Sequence, residues 1–289
     1  MTSRPVGEAA VQEAVRPAGR AGARRPRPPG QLFQPVSWQR FWILGAGAIV
    51  ALLLVWYLVT ALGLVSPMIL PAPGDVLSAG LDLARSGQLA ADTWASVERV
   101  MIGFAISLVV ALPIGVLMGT LGWFEALLEP LIDFIRYMPA VAFVPLTIVW
   151  FGVDESQKYA ILFIGTFFQQ VLMVMDNVKR TPHEFVQVGQ TIGLSRVKQM
   201  LRIVLPASAP ALWDTIRVTL GWAWTWLVVA ELVAAPDGLG QRIVVSQRYL
   251  ATDRIFFLIG LIGLIGLVSD QVLKALGRVL FPWASRGAK

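Results

Sequence analysis

Six apolar runs, each about as long as a bilayer's hydrocarbon core is thick, punctuate this chain: Phe41–Leu62, Val97–Thr120, Ala126–Trp150, Tyr159–Val178, Ala209–Val233 and Ile255–Val279. A core of about 30 Å takes roughly 20 helical residues to cross. Lipid offers no water to an open backbone, so a spanning segment is a helix or a strand of a closed barrel. The runs lack the period-two alternation of barrel strands. With 56% hydrophobic residues, 15% charged and a mean hydropathy of +0.67, the chain lies outside the soluble range. The sequence predicts an all-α membrane protein of about six transmembrane helices.

Between the fourth and fifth runs the chain turns polar and basic, over residues 179–206. Thr181 is placed to N-cap a helix, with Pro182 at its first position and Glu184 completing a capping box. Gly193 offers a left-handed stop, after which Ser195 can cap a second short helix that ends before Pro206. The expected product is a helix–glycine–helix elbow bearing Lys179, Arg180, Arg196, Lys198 and Arg202. So specified a loop, wedged between spans, reads as a docking surface for another protein.

Basic residues fall unevenly on the two sides of the runs. Seven arginines precede the first run, the elbow holds five lysines and arginines, and Lys274, Arg278, Arg286 and Lys289 close the chain. The alternate loops hold Arg85, Lys158, Arg242, Arg248 and Arg254. By positive-inside asymmetry both termini and the elbow face the cytoplasm, with 232–254 the weakest vote. Scatter over separate loops argues against a nucleic-acid surface despite the net charge of +6. Residues 1–40, rich in Arg, Pro, Gly and Ala, hold too little apolar surface to offset ordering and are expected to be a disordered arm. Prolines follow Arg24-Arg25 where an export signal would turn apolar, so the first run reads as an uncleaved span. Residues 41–282 are then the membrane domain and 283–289 a cytoplasmic tail. After the first run, Pro71-Ala72-Pro73-Gly74-Asp75 leads into a short amphipathic helix with Asp75 as its cap and Leu77, Leu81 and Leu83 along it.

The elbow resembles a known signature. Gly193, Ile203, Leu205 and Pro206 fall at the intervals of Glu-Ala-Ala, three residues, Gly, nine residues, Ile-x-Leu-Pro, carried by the inner-membrane subunits of ATP-binding-cassette (ABC) importers. Gln187-Val188-Gly189 stands in place of Glu-Ala-Ala and removes the acid. Arg136-Tyr137-Met138-Pro139, Val144-Pro145-Leu146, Gly221-Trp222-Ala223-Trp224, Val229-Ala230-Glu231-Leu232 and Gly238-Leu239-Gly240 resemble the branch that serves nitrate, sulfonates, taurine and bicarbonate. That resemblance implies type I ABC importer permease architecture in a bacterial inner membrane. It also implies a second, identical permease chain, two cytoplasmic ATPase subunits that hold ATP and magnesium, and an extracytoplasmic solute-binding protein. The cargo would be a small oxyanion, sulfonate or nitrogen compound. ATPase coupling would fall to Gln187, Gly189, Gly193, Leu194, Ser195, Arg196, Leu205 and Pro206.

Pathway candidates are Arg136, Trp222, Trp226 and Glu231. Trp222 and Trp226, one turn apart, share a helix face and form either a pathway wall or an aromatic-belt anchor, while Trp224 points elsewhere. Asp214 and Arg217 are spaced to pair. Pro113, Pro139 and Pro145 leave carbonyls free within spans. Gly115 with Gly119, and Gly260 with Gly263 and Gly266, make narrow stripes for helix contact. One histidine, His183, and no cysteine leave no metal set, and no Gly-x-x-x-x-Gly-Lys-Ser/Thr occurs, so ATP hydrolysis is expected on another chain and no cofactor on this one. The alternative, an ATP-independent secondary transporter, would show internal repeats around a midplane ion site, and no duplication is visible.

Overall fold

Apolar length becomes helix in every run, but not always one straight helix per run. The computed structural model describes residues 37–233 and 235–286, and its regular structure there is helical throughout. Helices α1 (Trp38–Ala61), α3 (Gln88–Thr120), α6 (Glu155–Lys179) and α11 (Thr252–Leu280) are long and apolar enough to cross a membrane. Helix α9 (Leu205–Leu232) has 28 residues, about 42 Å at 1.5 Å per residue, but its charged and tryptophan residues keep it from that group. Of the arm expected over residues 1–40, residues 1–36 lie outside the described chain, and α1 has already begun at Trp38.

The third run corrects the sequence reading. Helices α4 (Gly122–Arg136) and α5 (Val144–Phe151) belong to two halves bent by 88°, joined through Tyr137–Pro139 and a 3₁₀ turn at Ala140–Phe143. Pro139 has no N–H and drives Met138 away from helical angles, which ends α4. Counting this bent pair as one span, five candidate spans pass on length and composition among the described residues.

Helices α3, α6 and α9 form the centre, with α11 against α9. Small residues let α3 and α6 close in. A Cβ on Gly115 would sit 2.6 Å from Val174 and 2.7 Å from the Val171 carbonyl, and one on Gly119 2.7 Å from Val178. The second expected stripe behaves otherwise: Gly260 and Gly263 have nothing within 4 Å of that position, and only Gly266 meets a neighbour, Trp224 at 3.5 Å. Buried polar side chains also bind the three helices together. Ser107 donates to Gln170 Oε1 (2.5 Å), Thr166 Oγ1 lies 2.9 Å from Ser107 Oγ, and Gln170 Nε2 donates to Thr219 (3.2 Å). All four are fully buried, so each polar atom must find its bond inside the protein.

Helix α1 passes from a unit that ends at Leu53 into one that begins at Leu54. Within the second unit, Trp56 Nε1 donates to the Pro71 carbonyl (3.0 Å), which fixes the start of α2 (Pro73–Arg85). Helix α2 starts with Pro73 at its first position rather than with Asp75 as cap. Its buried face is Val76, Ala79, Gly80 and Leu83, while Leu77 and Leu81 point outward, because Gly80 receives the Phe257 ring of α11.

Candidate functional site

Three places on the second unit carry unusual chemistry: a cleft at the broken span, the elbow at the N-terminal end of α9, and an ionic hub at its C-terminal end.

The cleft has a volume of about 360 Å³ and is lined by Arg136–Ala140 from the break, by Ile164, Gly165, Phe168 and Gln169 of α6, and by Trp222 and Trp226 of α9. Arg136, Trp222 and Trp226, proposed separately from the sequence, thus meet in one place. Trp226 is seated by α6, since the position of a Cβ on Gly165 is occupied by its five-membered ring. Arg136 donates through Nε to Asp133 (2.9 Å) and through Nη2 to the Tyr137 hydroxyl (3.0 Å), with its guanidinium 4.8 Å from the Tyr137 ring centre. Trp224 points away into the core and is 4% exposed. Phe168 and Gln169 also line the cleft, although they are not among the pathway candidates read from the sequence.

Helix α7 (His183–Thr191), a turn and helix α8 (Arg196–Gln199) build the elbow. The expected cap is absent: Pro182, extended at ψ 131, takes the N-cap place, and the Thr181 hydroxyl is buried with no hydrogen-bond partner among the described residues. The stop is as expected. Gly193 has φ +72, Leu194 N donates to Gly189 O (3.0 Å) and Gly193 N to Gln190 O (2.9 Å), a Schellman closure. Ser195 precedes α8 in extended conformation but makes no side-chain cap bond. The second helix does not end before Pro206. A π-helical stretch, Met200–Val204, carries it straight into α9, and the wider bonding register absorbs the proline at α9's second position.

Gly189 is buried within the elbow. A Cβ there would lie 2.5 Å from Ile203 Cδ1, the free end of that side chain, so the isoleucine of Ile-x-Leu-Pro folds over the third residue of the triplet. Leu194 is half-buried, and its carbonyl accepts from Gln199 Nε2 (2.7 Å). Gln187, Gly193, Ser195, Arg196 and Pro206 are exposed, and Leu205 is half-buried. Beside them runs an apolar stripe that sequence reading overlooked: Phe185 and Val188 of α7 and Ile192, its C-cap, are 51%, 60% and 67% exposed. Exposed apolar residues stand here on an otherwise polar elbow.

Glu231 does not join the cleft. Its carboxylate is fully buried at the other end of α9, where it accepts from Ser96 Oγ (2.8 Å), Arg99 Nη1 (2.9 Å) and Gly240 N (2.7 Å). Arg99 also grips Glu155 through Nε and Nη2 (2.7 and 2.8 Å) and the Asp237 carboxylate through Nη2 (2.5 Å). Asp92 accepts from Gly238 N (3.1 Å) and Arg242 Nε (2.7 Å). The hub clamps residues 237–240 and α10 (Leu239–Arg248) onto α3. Arg242, one of three arginines in the dissenting loop, is held there in an ion pair with Asp92.

Helical spans, a broken third span, an elbow with the Gly193 stop and a helix running on through Ile203-Val204-Leu205-Pro206 define an importer permease. Residues 111–281 match the family described as binding-protein-dependent transport system inner membrane component, and the chain belongs to it. It is 37% identical over 231 residues to a probable ABC transporter permease protein of Brucella abortus, covering 80% of this chain and 91% of that one. It is 33% identical over 245 residues to the taurine transport system permease protein of Escherichia coli, covering 83% of this chain and 89% of that one. Among solved structures, an inward-facing MetNI methionine ABC transporter matches with a TM-score of 0.56 at 18% identity, covering 66% of this chain and 97% of that one, a likeness of fold. The chain is therefore a membrane-spanning permease subunit of an ABC importer with type I architecture.

Proposed function

We propose that the cleft at the α4–α5 break is part of the translocation pathway and that the elbow carries the force that opens it. The observation that carries the first claim is the non-helical backbone at Tyr137–Pro139, inside a segment otherwise apolar enough to span. Irregular backbone at membrane depth survives only where protein covers it or water reaches it, and here it faces a cleft. Two identical permease chains would face each other across it. The relatives' names point to taurine, aliphatic sulfonates or bicarbonate, and a small solute of that size, or a small nitrogen compound, fits the volume.

The elbow reading rests on the exposed Phe185–Val188–Ile192 stripe, framed by the rigid Gly193 turn. A separate cytoplasmic ATPase would seat this stripe, and ATP would be hydrolysed there. Because the π-turn runs on into α9, which continues past Pro206 and Pro210 to Trp222 and Trp226, a movement of the elbow is passed along one helix to the cleft. On this reading the elbow and both termini lie in the cytoplasm, and the hub with α2 and α10 lies outside, where a solute-binding protein docks.

Co-purification with the ATPase tests the elbow. Val188→Asp puts a charge into the stripe without touching the elbow's interior, and it should abolish ATPase recovery while membrane insertion persists. Full recovery would remove the stripe from the interface.

A further inference from the structure

A second cavity, of about 530 Å³, lies between the elbow and the ends of α3 and α6, and the proposed pathway does not use it. Its lining combines two chemistries. Leu117, Leu121, Trp123, Val178, Val186 and Met200 make an apolar wall. Lys179, His183 and Arg196 add basic side chains, and no carboxylate lines the cavity among the described residues. Lys179 is paired with Glu125 (2.5 Å), which stands outside the lining. The side chains of His183 and Arg196 make no hydrogen bond or ion pair among the described residues. Further donors are left over beside them. Thr181, in the same wall, is the buried threonine whose hydroxyl has no partner. Helix α7 starts at His183 without a side-chain cap, which leaves its first N–H groups to an outside acceptor.

Donors and cations with no acid among them suit an anion, and a guanidinium meets phosphate oxygens through parallel N–H bonds. The apolar wall decides which anion. A free phosphate would leave that wall against water, whereas a lipid phosphate brings an apolar body to cover it. Leu117 and Val178 belong to the last turns of α3 and α6, two helices apolar enough to span, so the wall begins where headgroups lie. Trp123, 66% exposed beside it, is of the residue type that settles at that level. Basic pockets between spans on the cytoplasmic side receive anionic headgroups in this way.

We propose that this cavity binds the phosphate headgroup of an anionic phospholipid, held by Arg196 and His183, with an acyl chain along Leu117, Leu121 and Trp123. That the lipid comes from the cytoplasmic leaflet rests on the reading that places the elbow in the cytoplasm. A lipid seated here ties the α3–α4 turn to both elbow helices.

The chain contains no cysteine, so single thiols report cleanly. Val197→Cys places one in the cavity lining, and Gln190→Cys places one on exposed α7 outside it. Alkylation by a small maleimide is timed on the purified full-length permease, with and without its ATPase. The probes are dihexanoyl phosphatidylglycerol, dihexanoyl phosphatidylcholine and glycerol phosphate. Phosphatidylglycerol should slow the Val197→Cys thiol along a saturating curve, about tenfold at ten times the half-effect concentration, in proportion to vacant sites. The Gln190→Cys thiol should not change. Equal protection by phosphatidylcholine would show an apolar groove indifferent to charge, and equal protection by glycerol phosphate a site for free phosphate; either overturns the proposal. So does protection by no probe, or full protection by the ATPase without lipid, which would make the cavity part of the ATPase seat. In the Val197→Cys background, Arg196→Gln should raise the half-effect concentration about tenfold and Arg196→Lys much less. An unchanged value for Arg196→Gln would remove the cation from the site. A membrane-impermeant maleimide should reach Val197→Cys in inside-out vesicles and not in right-side-out ones. The opposite result would defeat the orientation reading, and the cytoplasmic leaflet with it, while leaving headgroup binding to stand on the protection data.

Discussion

Arg99 shows how much can depend on one side chain. A single guanidinium holds Glu155, Glu231 and Asp237, and Glu231 is fully buried. Truncating one partner of a buried ion pair costs about 3–5 kcal/mol, because the other charge stays buried and unpaired. Arg99→Ala should therefore cost about that much, seen as earlier heat-induced loss of the purified protein. Arg99→Lys should fall between the two, since an ammonium lacks the planar fork that meets three carboxylates. A melting point equal to wild type would show the hub to be idle. At Gly193 the constraint is conformational: φ is +72, and a β-branched residue is poorly tolerated there. Gly193→Val should cost about 1–2 kcal/mol and misalign α7 against α8, lowering ATPase recovery while the spans insert normally. Trp224 teaches a different point. The sequence placed it off the Trp222–Trp226 face, which is right, but the structure seats it in the core. Trp224→Ala would open a cavity costing about 3–5 kcal/mol and cannot serve as a neutral control for pathway mutants.

Helix contacts separate what was legible in the sequence from what was not. The Gly115–Gly119 face is used as its spacing suggests, because close approach needs only a missing side chain on one helix. Gly115→Leu should push α3 from α6 and cost about 1–3 kcal/mol, whereas Gly260→Leu, with open space around it, should leave the single chain's stability unchanged; similar losses for both would contradict the packing. Periodicity could not show this difference, since both stripes look alike until a partner helix is placed. The broken third span was hidden for a related reason. Apolarity runs through the break, and Pro139 in the sequence reads equally as a kink or a stop. Likewise Leu205-Pro206 reads as an end, and only the π-helical register at Met200–Val204 turns it into a continuation. The ion hub escaped because its members, Asp92, Arg99, Glu155, Glu231 and Asp237, are spread along the chain and no local pattern joins them. Local chemistry, such as the Gly193 stop, was readable; long-range pairing was not.

At the scale of the molecule, α9 links the three sites. It begins in the elbow, passes the cleft with Trp222 and Trp226, and ends in the hub at Glu231, so one helix touches the proposed ATPase surface, the proposed pathway and the clamp at its far end. Bound ATPase would act on the elbow, and the α3–α6–α9 centre, tied by the Ser107–Gln170–Thr219 bonds, would move with it. The central claim is that this chain forms a pathway at the broken span and is driven from the elbow by a separate ATPase. The most direct measurement follows solute uptake and ATP turnover together in vesicles reconstituted with permease, ATPase and solute-binding protein, comparing wild type with Trp222→Ala. Trp222→Ala should keep ATP hydrolysis but lose most uptake, and wild-type uptake should stop when the ATPase is omitted. Uptake by Trp222→Ala equal to wild type, or uptake that continues without the ATPase, would contradict it.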